Sequence, residues 1–294
     1  MEATLDSAMD PKDLVSVSDA NLPYRFDQIF RAEGFGAKRL EKNRLKLMKA
    51  IDPVVQRLLA DGERVQFVTW GTEYSLIEHL IMGVWAFLIN RRALVLTDRR
   101  ILLLQIDSRQ RALDLKAQLR YQAIEKRARH AFGQVIFLLR NRKKLVINGM
   151  PGRDRKVVKA FVEEKLAETR ADAPALGIEN LCPRCGHRVR GFPERCNQCP
   201  QAFKSGRRAG WLSLAFPGLG DLYLGHRWLG TFEILGTLVA WFVVPLPFAW
   251  AAFTEGSSWA IPATAAGLVF TFAHGLDAWI TRRVGLKGIY PADP

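Results

Sequence analysis

Along residues 113–122 apolar and polar positions alternate without a break. Leu113, Leu115, Ala117, Leu119 and Tyr121 stand against Asp114, Lys116, Gln118, Arg120 and Gln122. A period of two predicts a β-strand with one buried and one solvated face. "ALVLTDRRILLLQI" reads as two apolar strands about a Thr-Asp-Arg-Arg turn. "VIFLLRNRKKLVING" reads as a second pair about Asn141-Arg142-Lys143. On either side the period becomes helical. Leu45, Met48, Ile51, Val55 and Leu58 recur at helical spacing, with Lys38, Arg39, Lys42, Lys46 and Lys49 elsewhere on the wheel. Asp52-Pro53 has the form of a cap and a first-turn proline, which predicts a break and restart there. Val158, Phe161, Val162 and Leu166 mark a last helix. Antiparallel strands closed by that helix predict a small barrel or bent sheet over 63–170, its open end plugged and its edges hidden.

Residues 1–35 hold few bulky apolar side chains and several turn formers, so they are expected to form an acidic disordered tail. Within the strand region, "SLIEHLIMGVWAFLINRR" (75–92) is an apolar insert whose uncharged part is too short to cross a bilayer. It is either a buried helix or strand, or a membrane-dipping loop ending at Arg91 and Arg92. The last third is more strongly apolar. Trp228 to Phe253 and Trp259 to Thr281 each reach the roughly 20 residues that a span requires. The segment before them, 205–227, is short and interrupted by Pro217-Gly218, and is expected to be interfacial or re-entrant.

Charge separates these parts. The chain of 294 residues carries a formal charge of +14 while being 49% hydrophobic, a pairing that fits a basic domain fused to a membrane segment. The basic amphipathic stretch 36–62 either lies on lipid or is an ordinary surface helix. The connection "TEGSS" has no Lys or Arg. Lys204, Arg207, Arg208 and Arg227 precede the two runs, and Arg282, Arg283 and Lys287 follow them. The positive-inside rule then puts both outer ends, and the tail 285–294, on the cytoplasmic side. No basic start and apolar run opens the chain as a secretory signal would.

All four cysteines fall within 18 residues, as Cys182-x-x-Cys185 and Cys196-x-x-Cys199. Each pair turns two thiolates toward one ion, and two such pairs complete the tetrahedron of a structural zinc. Four cysteines close the shell, which leaves no open position for metal catalysis. Such a knuckle (182–204, after a linker at 171–181) is too small for a core and folds on its metal. Arg184, Arg188, Arg190 and Arg195 suit phosphate, but only Phe192 is interleaved, which argues against single-strand binding.

Three resemblances follow from these residues. Gly62-Glu63 opening a strand and the turn Thr97-Asp98-Arg99-Arg100, with flanking helices, resemble the bacterial pleckstrin-homology-like domains over about 40–168. The cysteine stretch resembles zinc ribbons. "PGLGDLYLGHRWLG" with the later "HGLDAWITRR" resembles the two-transmembrane (TM-two) domain family over about 209–284, with Asp221 departing from the usual order. Together they imply an α+β multidomain membrane protein: a pleckstrin-like barrel or bent sheet with a capping helix, a zinc ribbon, and a transmembrane hairpin at 228–284. The implied location is the bacterial cytoplasmic membrane.

No phosphate-binding G-x-x-x-x-G-K-[ST], H-E-x-x-H or G-x-S-x-G occurs, so an enzyme is not expected. The expected function is a membrane-anchored binding or scaffold protein recognising anionic lipid or a protein partner. Arg99, Arg100, Arg140, Arg142, Lys143 and Lys144, at two hairpin turns, form either a basic rim for that contact or a solvated face. Glu233, His274 and Asp277 are ionisable residues within the apolar runs, either a proton or metal site or a polar lock at the interface. The alternative is a nucleic-acid or ribosome-associated protein using ribbon and barrel.

Overall fold

The computed structural model describes residues 23–31, 34–74, 89–125, 129–131, 133–168 and 175–292. The expected insert at 75–92 lies outside these residues from 75 to 88, and so do residues 1–22 of the expected tail. The chain divides into two compact units, Met1–Arg190 and Gly191–Pro294, and each is described by itself.

The first unit is built on an antiparallel sheet curled into a half-barrel. Strands β1 (Val65–Glu73), β2 (Arg91–Thr97), β3 (Arg100–Ile106) and β4 (Ala112–Arg120) form one meander, and β5 (Arg129–Ala131), β6 (Gln134–Leu138) and β7 (Lys144–Asn148) a second. The meanders join where β1 pairs with β7, Thr72 opposite Asn148. A Cβ on Gly71 would lie 2.3 Å from Ile147 Cγ2 and 2.9 Å from the Asn148 carbonyl, so this junction needs glycine. Short strands β8 (Glu179–Leu181) and β9 (Arg188–Val189) extend the sheet beyond β4.

The two predicted hairpins form about the predicted turns. Thr97 Oγ1 accepts from the Arg99 and Arg100 amides, and Asn141 Oδ1 from the Lys143 amide. Strands β2 and β3 are buried on both faces, which explains their unbroken apolar runs. Leu94, Leu96, Ile101 and Leu103 share a core with Val158 and Val162 of helix α3 (Gly152–Glu168). Ala93, Val95, Leu102, Leu104 and Ile106 face the other way, onto helices α1 (Phe26–Ile29) and α2 (Ala37–Leu58).

Three expectations are corrected here. Residues 23–31 are not loose tail: Tyr24, Phe26 and Ile29 are buried in the second core, and Val65 donates to the Pro23 carbonyl. Helix α2 does not break at Pro53 but continues to Leu58. Asp52 is no cap; its carboxylate accepts from Tyr24 Oη and Gln56 Nε2, and packing of Leu47, Met48, Ile51 and Val55 on the sheet outweighs the amide hydrogen bond lost at proline. That packing also occupies the apolar face that lipid would have used. The expected wet face of β4 is wet only at its ends: Asp114 and Arg120 are exposed, but Lys116 and Gln118 are 8% and 3% exposed, whereas Leu113 is 41% exposed. β8 and the first cysteine turn cover the polar positions.

The second unit is helical: α4 (Gly206–Ala215), α5 (Leu219–Leu224), α6 (Arg227–Val243), α7 (Pro245–Glu255), α8 (Ala260–Val269), a π-helical stretch Phe270–Gly275, and α9 (Leu276–Gly285). α6 and α7 run on as Arg227–Glu255, 29 residues, the one helix among the described residues long and apolar enough to cross a membrane. The second predicted span is helical but carries the π-helical stretch, so a pair of spans is not shown. In the expected interfacial segment, ten-residue α4 packs against α9 with Gly206 on Gly285 and Gly210 on Arg282. Close approach of this kind requires small residues.

Candidate metal centre and charged clusters

The four cysteine sulfurs lie within 4.8 Å of one another. An ion held tetrahedrally at about 2.3 Å sets sulfurs about 3.8 Å apart, so the donor set fits one metal ion. Local geometry explains how the sequence forms each turn. The Gly186 amide donates to the Cys182 carbonyl and the Cys182 amide to His187. Gly186 adopts φ +71°, and a Cβ there would meet Leu58 Cδ2 at 2.8 Å. In the second turn the Cys196 amide donates to the Gln201 carbonyl, and the Gln198 amide points at Cys196 Sγ from 3.5 Å. A donor at sulfur favours the thiolate that a metal needs.

The expected basic rim is partly dismantled by the fold. Arg100 turns inward: its guanidinium pairs with Glu63 at 2.7 Å, donates to the Leu58 carbonyl and meets Gln118. Glu63 also accepts from Thr97 Oγ1 and the Ala60 amide. Burial pushes the Glu63 carboxyl up, but the hydrogen bonds from Arg100, Ala60 and Thr97 outweigh it and hold it below the usual value. Glu63 at the strand opening and Arg100 of the turn, both singled out in the sequence, are thus the two ends of one internal ion pair. Arg99 donates to the Asp61 carbonyl and Arg140 to that of Gln122. Arg140, Arg142, Lys143 and Lys144 are exposed, with Arg142 at φ 63° in its turn. Tyr121 Oη donates to the Thr97 carbonyl while the Arg140 amide donates to Ala123, so one short turn ties both hairpins together.

Beside the first cysteine turn lies a cleft of about 200 Å³, lined by Val54, Arg57 and Leu58 of α2, Lys116 of β4, and Pro183, Arg184, Cys185 and Gly186. Lys116 donates to the Pro183 carbonyl. Burial, then the neighbouring Arg57, lowers its pKa, against Asp114 and Cys182. Among the cations of this group sequence reading singled out only Arg184, because the members come from three elements. An alternating strand carries no mark of which polar position will be covered.

In the second unit the carboxylates of Asp221, Glu233 and Asp277 lie within 4.8 Å of one another. Of the three expected ionisable residues the fold brings Glu233 and Asp277 together, adds Asp221, and places His274 elsewhere. Asp277 accepts from the Gly218 amide at 3.0 Å. Asp221 accepts from Thr281 Oγ1 at 2.7 Å and faces His226 Nδ1 at 2.8 Å. His274 Nε2 accepts from Trp241 Nε1, which leaves Nδ1 to donate to the Leu214 carbonyl. The carboxylate trio is a donor set for a cation or for shared protons; His274 is a packing hub among Phe216, Trp241 and Phe270. An apolar groove of about 480 Å³ runs between α6–α7 and α8, lined by Trp241, Phe242, Leu246, Trp259 and Pro262 among others.

No family model, curated protein or solved structure matches this chain.

Proposed function

We propose that the chain is a membrane-anchored, non-enzymatic binding protein. In this reading the first unit is a pleckstrin-like module, the four cysteines hold a structural zinc, and the apolar helices anchor the chain in the cytoplasmic membrane with both ends inside. The module recognises an anionic lipid or a protein partner there.

The observation that carries the anchor is the surface of Arg227–Glu255. A core helix of similar composition in a soluble protein is mostly buried, yet 11% of this helix's most apolar 18-residue stretch is buried. Trp228, Phe242, Trp250 and Phe253 all stand more than half exposed. Apolar exposure on this scale marks an interaction surface, and a continuous run of this length fits about 30 Å of hydrocarbon. Trp228 near one end and Trp250 near the other suit the two lipid–water boundaries. Zinc is favoured by the all-cysteine donor set and its spacing.

The test is extraction and labelling. The full chain stays in the membrane pellet through an alkaline carbonate wash, and Gly256→Cys is modified by an impermeant maleimide added from outside. Release by carbonate removes the anchor, and modification only from the cytoplasmic side removes the topology. Metal analysis of the purified chain gives one zinc per chain; absence of zinc, or retention of it in Cys196→Ser, removes the metal assignment.

A further inference from the structure

We propose that the cleft formed by the end of α2, strand β4 and the first cysteine turn binds a phosphate group. Its lining supplies three cations, Arg57, Lys116 and Arg184, and among the described residues that line it there is no carboxylate. Lys116 is buried, while Arg57 and Arg184 are exposed, so one cation forms the floor and two stand at the rim. Lys116 uses one donor on the Pro183 carbonyl and keeps two more. Arg57 uses its Nε on the Pro53 carbonyl, leaving its terminal nitrogens, and a guanidinium edge matches phosphate oxygens in pairs.

Size limits the ligand. About 200 Å³ holds several water volumes of about 30 Å³ each but falls short of the roughly 300–1,000 Å³ of pockets that enclose whole organic ligands. The cleft therefore takes the phosphate end of a molecule, either a phosphomonoester lipid headgroup or a free phosphate. Val54, Leu58 and Pro183 give it an apolar wall, which strengthens charge pairing inside.

The competing role for these cations is to offset the metal centre. Four thiolates around one divalent ion sum to about −2, which three cations exceed. Arg57 reaches the cleft from a helix that bears no cysteine. The proposal deepens the reading of the first unit as a binding module and rests on it, and the discs used below also need the membrane anchor. Failure of anchoring is read by carbonate extraction, and failure of this site by the titration below.

The zinc-loaded full chain, reconstituted in discs of phosphatidylcholine, is titrated calorimetrically with inorganic phosphate, and its zinc content is measured alongside. Saturable binding is expected, weakened at least about tenfold in Arg57→Gln and in Arg184→Gln, as loss of one charge-assisted hydrogen bond predicts, with zinc content unchanged. A second set of discs containing phosphatidic acid distinguishes the sources. Loss of the phosphate signal there identifies the lipid headgroup, and an unchanged signal identifies free phosphate; both support the site. Absence of saturable binding in the neutral discs overturns it, as does binding that survives both substitutions. Arg184→Gln lies between two cysteines, so if it sheds zinc, Arg57→Gln alone decides. Loss of zinc from Arg57→Gln as well would assign the cations to the metal and overturn the proposal.

Discussion

Arg44 and Asp154 lie 110 positions apart in the chain, yet their side chains meet at 2.6 Å, each 2% exposed. Thr69 Oγ1 donates to the other carboxylate oxygen, Arg44 donates to the Ile29 carbonyl, and its guanidinium lies 4.7 Å over the Phe67 ring. Burial pushes Asp154 up and Arg44 down, and each opposes the other's shift, so neither charge is tolerable alone. Arg44→Met or Asp154→Asn should each cost about 3–5 kcal/mol, whereas Arg44→Met with Asp154→Leu should recover most of that loss; thermal unfolding of the four proteins checks it. Glu63 gives the pH dependence. Its folded carboxyl is held below the ordinary 4.5, so its contribution is complete above that value and disappears as pH falls through the lower folded one. Glu63→Gln should lower stability by about 1–3 kcal/mol at neutral pH and flatten the acid limb of a melting-temperature profile. A parallel acid limb in the variant would assign it to other groups.

At the scale of elements, two positions in the sequence work against local preference and are held by packing. Pro53 is itself exposed inside α2, between buried Asp52 and half-buried Val54. Pro53→Ala restores the missing amide and should raise the stability by about 1–2 kcal/mol once the entropy of the more flexible unfolded chain is deducted, read as a higher unfolding midpoint. Gly218 opens α5 at φ +87°, and a Cβ there would stand 2.2 Å from the Gly230 carbonyl oxygen. Its amide is also the donor to Asp277. Gly218→Ala should therefore keep α5 from seating on α6, seen as rapid proteolysis within 206–285 in detergent while the fragment 23–168 stays resistant.

For the whole molecule, the proposed zinc carries its own prediction. Two turns of this size have no core, so with a metal at the four cysteines their fold would be coupled to the ion. Stripping the metal with a chelator at neutral pH should expose the stretch 182–199 to protease and make all four thiols reactive, with the half-barrel sheet unaffected by circular dichroism. Readdition of zinc should reverse both. Thiols that stay protected after the metal has left would mean that the turns stand on their own hydrogen bonds.

The amino-acid sequence alone determines whatever repeats locally. Strand period, turn residues at 97–100 and 141–143, the helical face of α3, the cysteine spacing and the apolar run from Trp228 all report on neighbours a few residues away, and each was legible. Contacts between distant segments leave no such trace. Tyr24 and Phe26 look like tail until a sheet is there to receive them. Lys116 and Gln118 alternate like surface residues until β8 and a cysteine turn cover them, and Arg100 looks like a rim charge until Glu63 claims it. The same holds for Asp221, which joins Glu233 and Asp277 in place of His274 only when α5, α6 and α9 converge. Periodicity tells a side chain which face of its own element it occupies; which other element meets that face is decided by the packing of the whole chain.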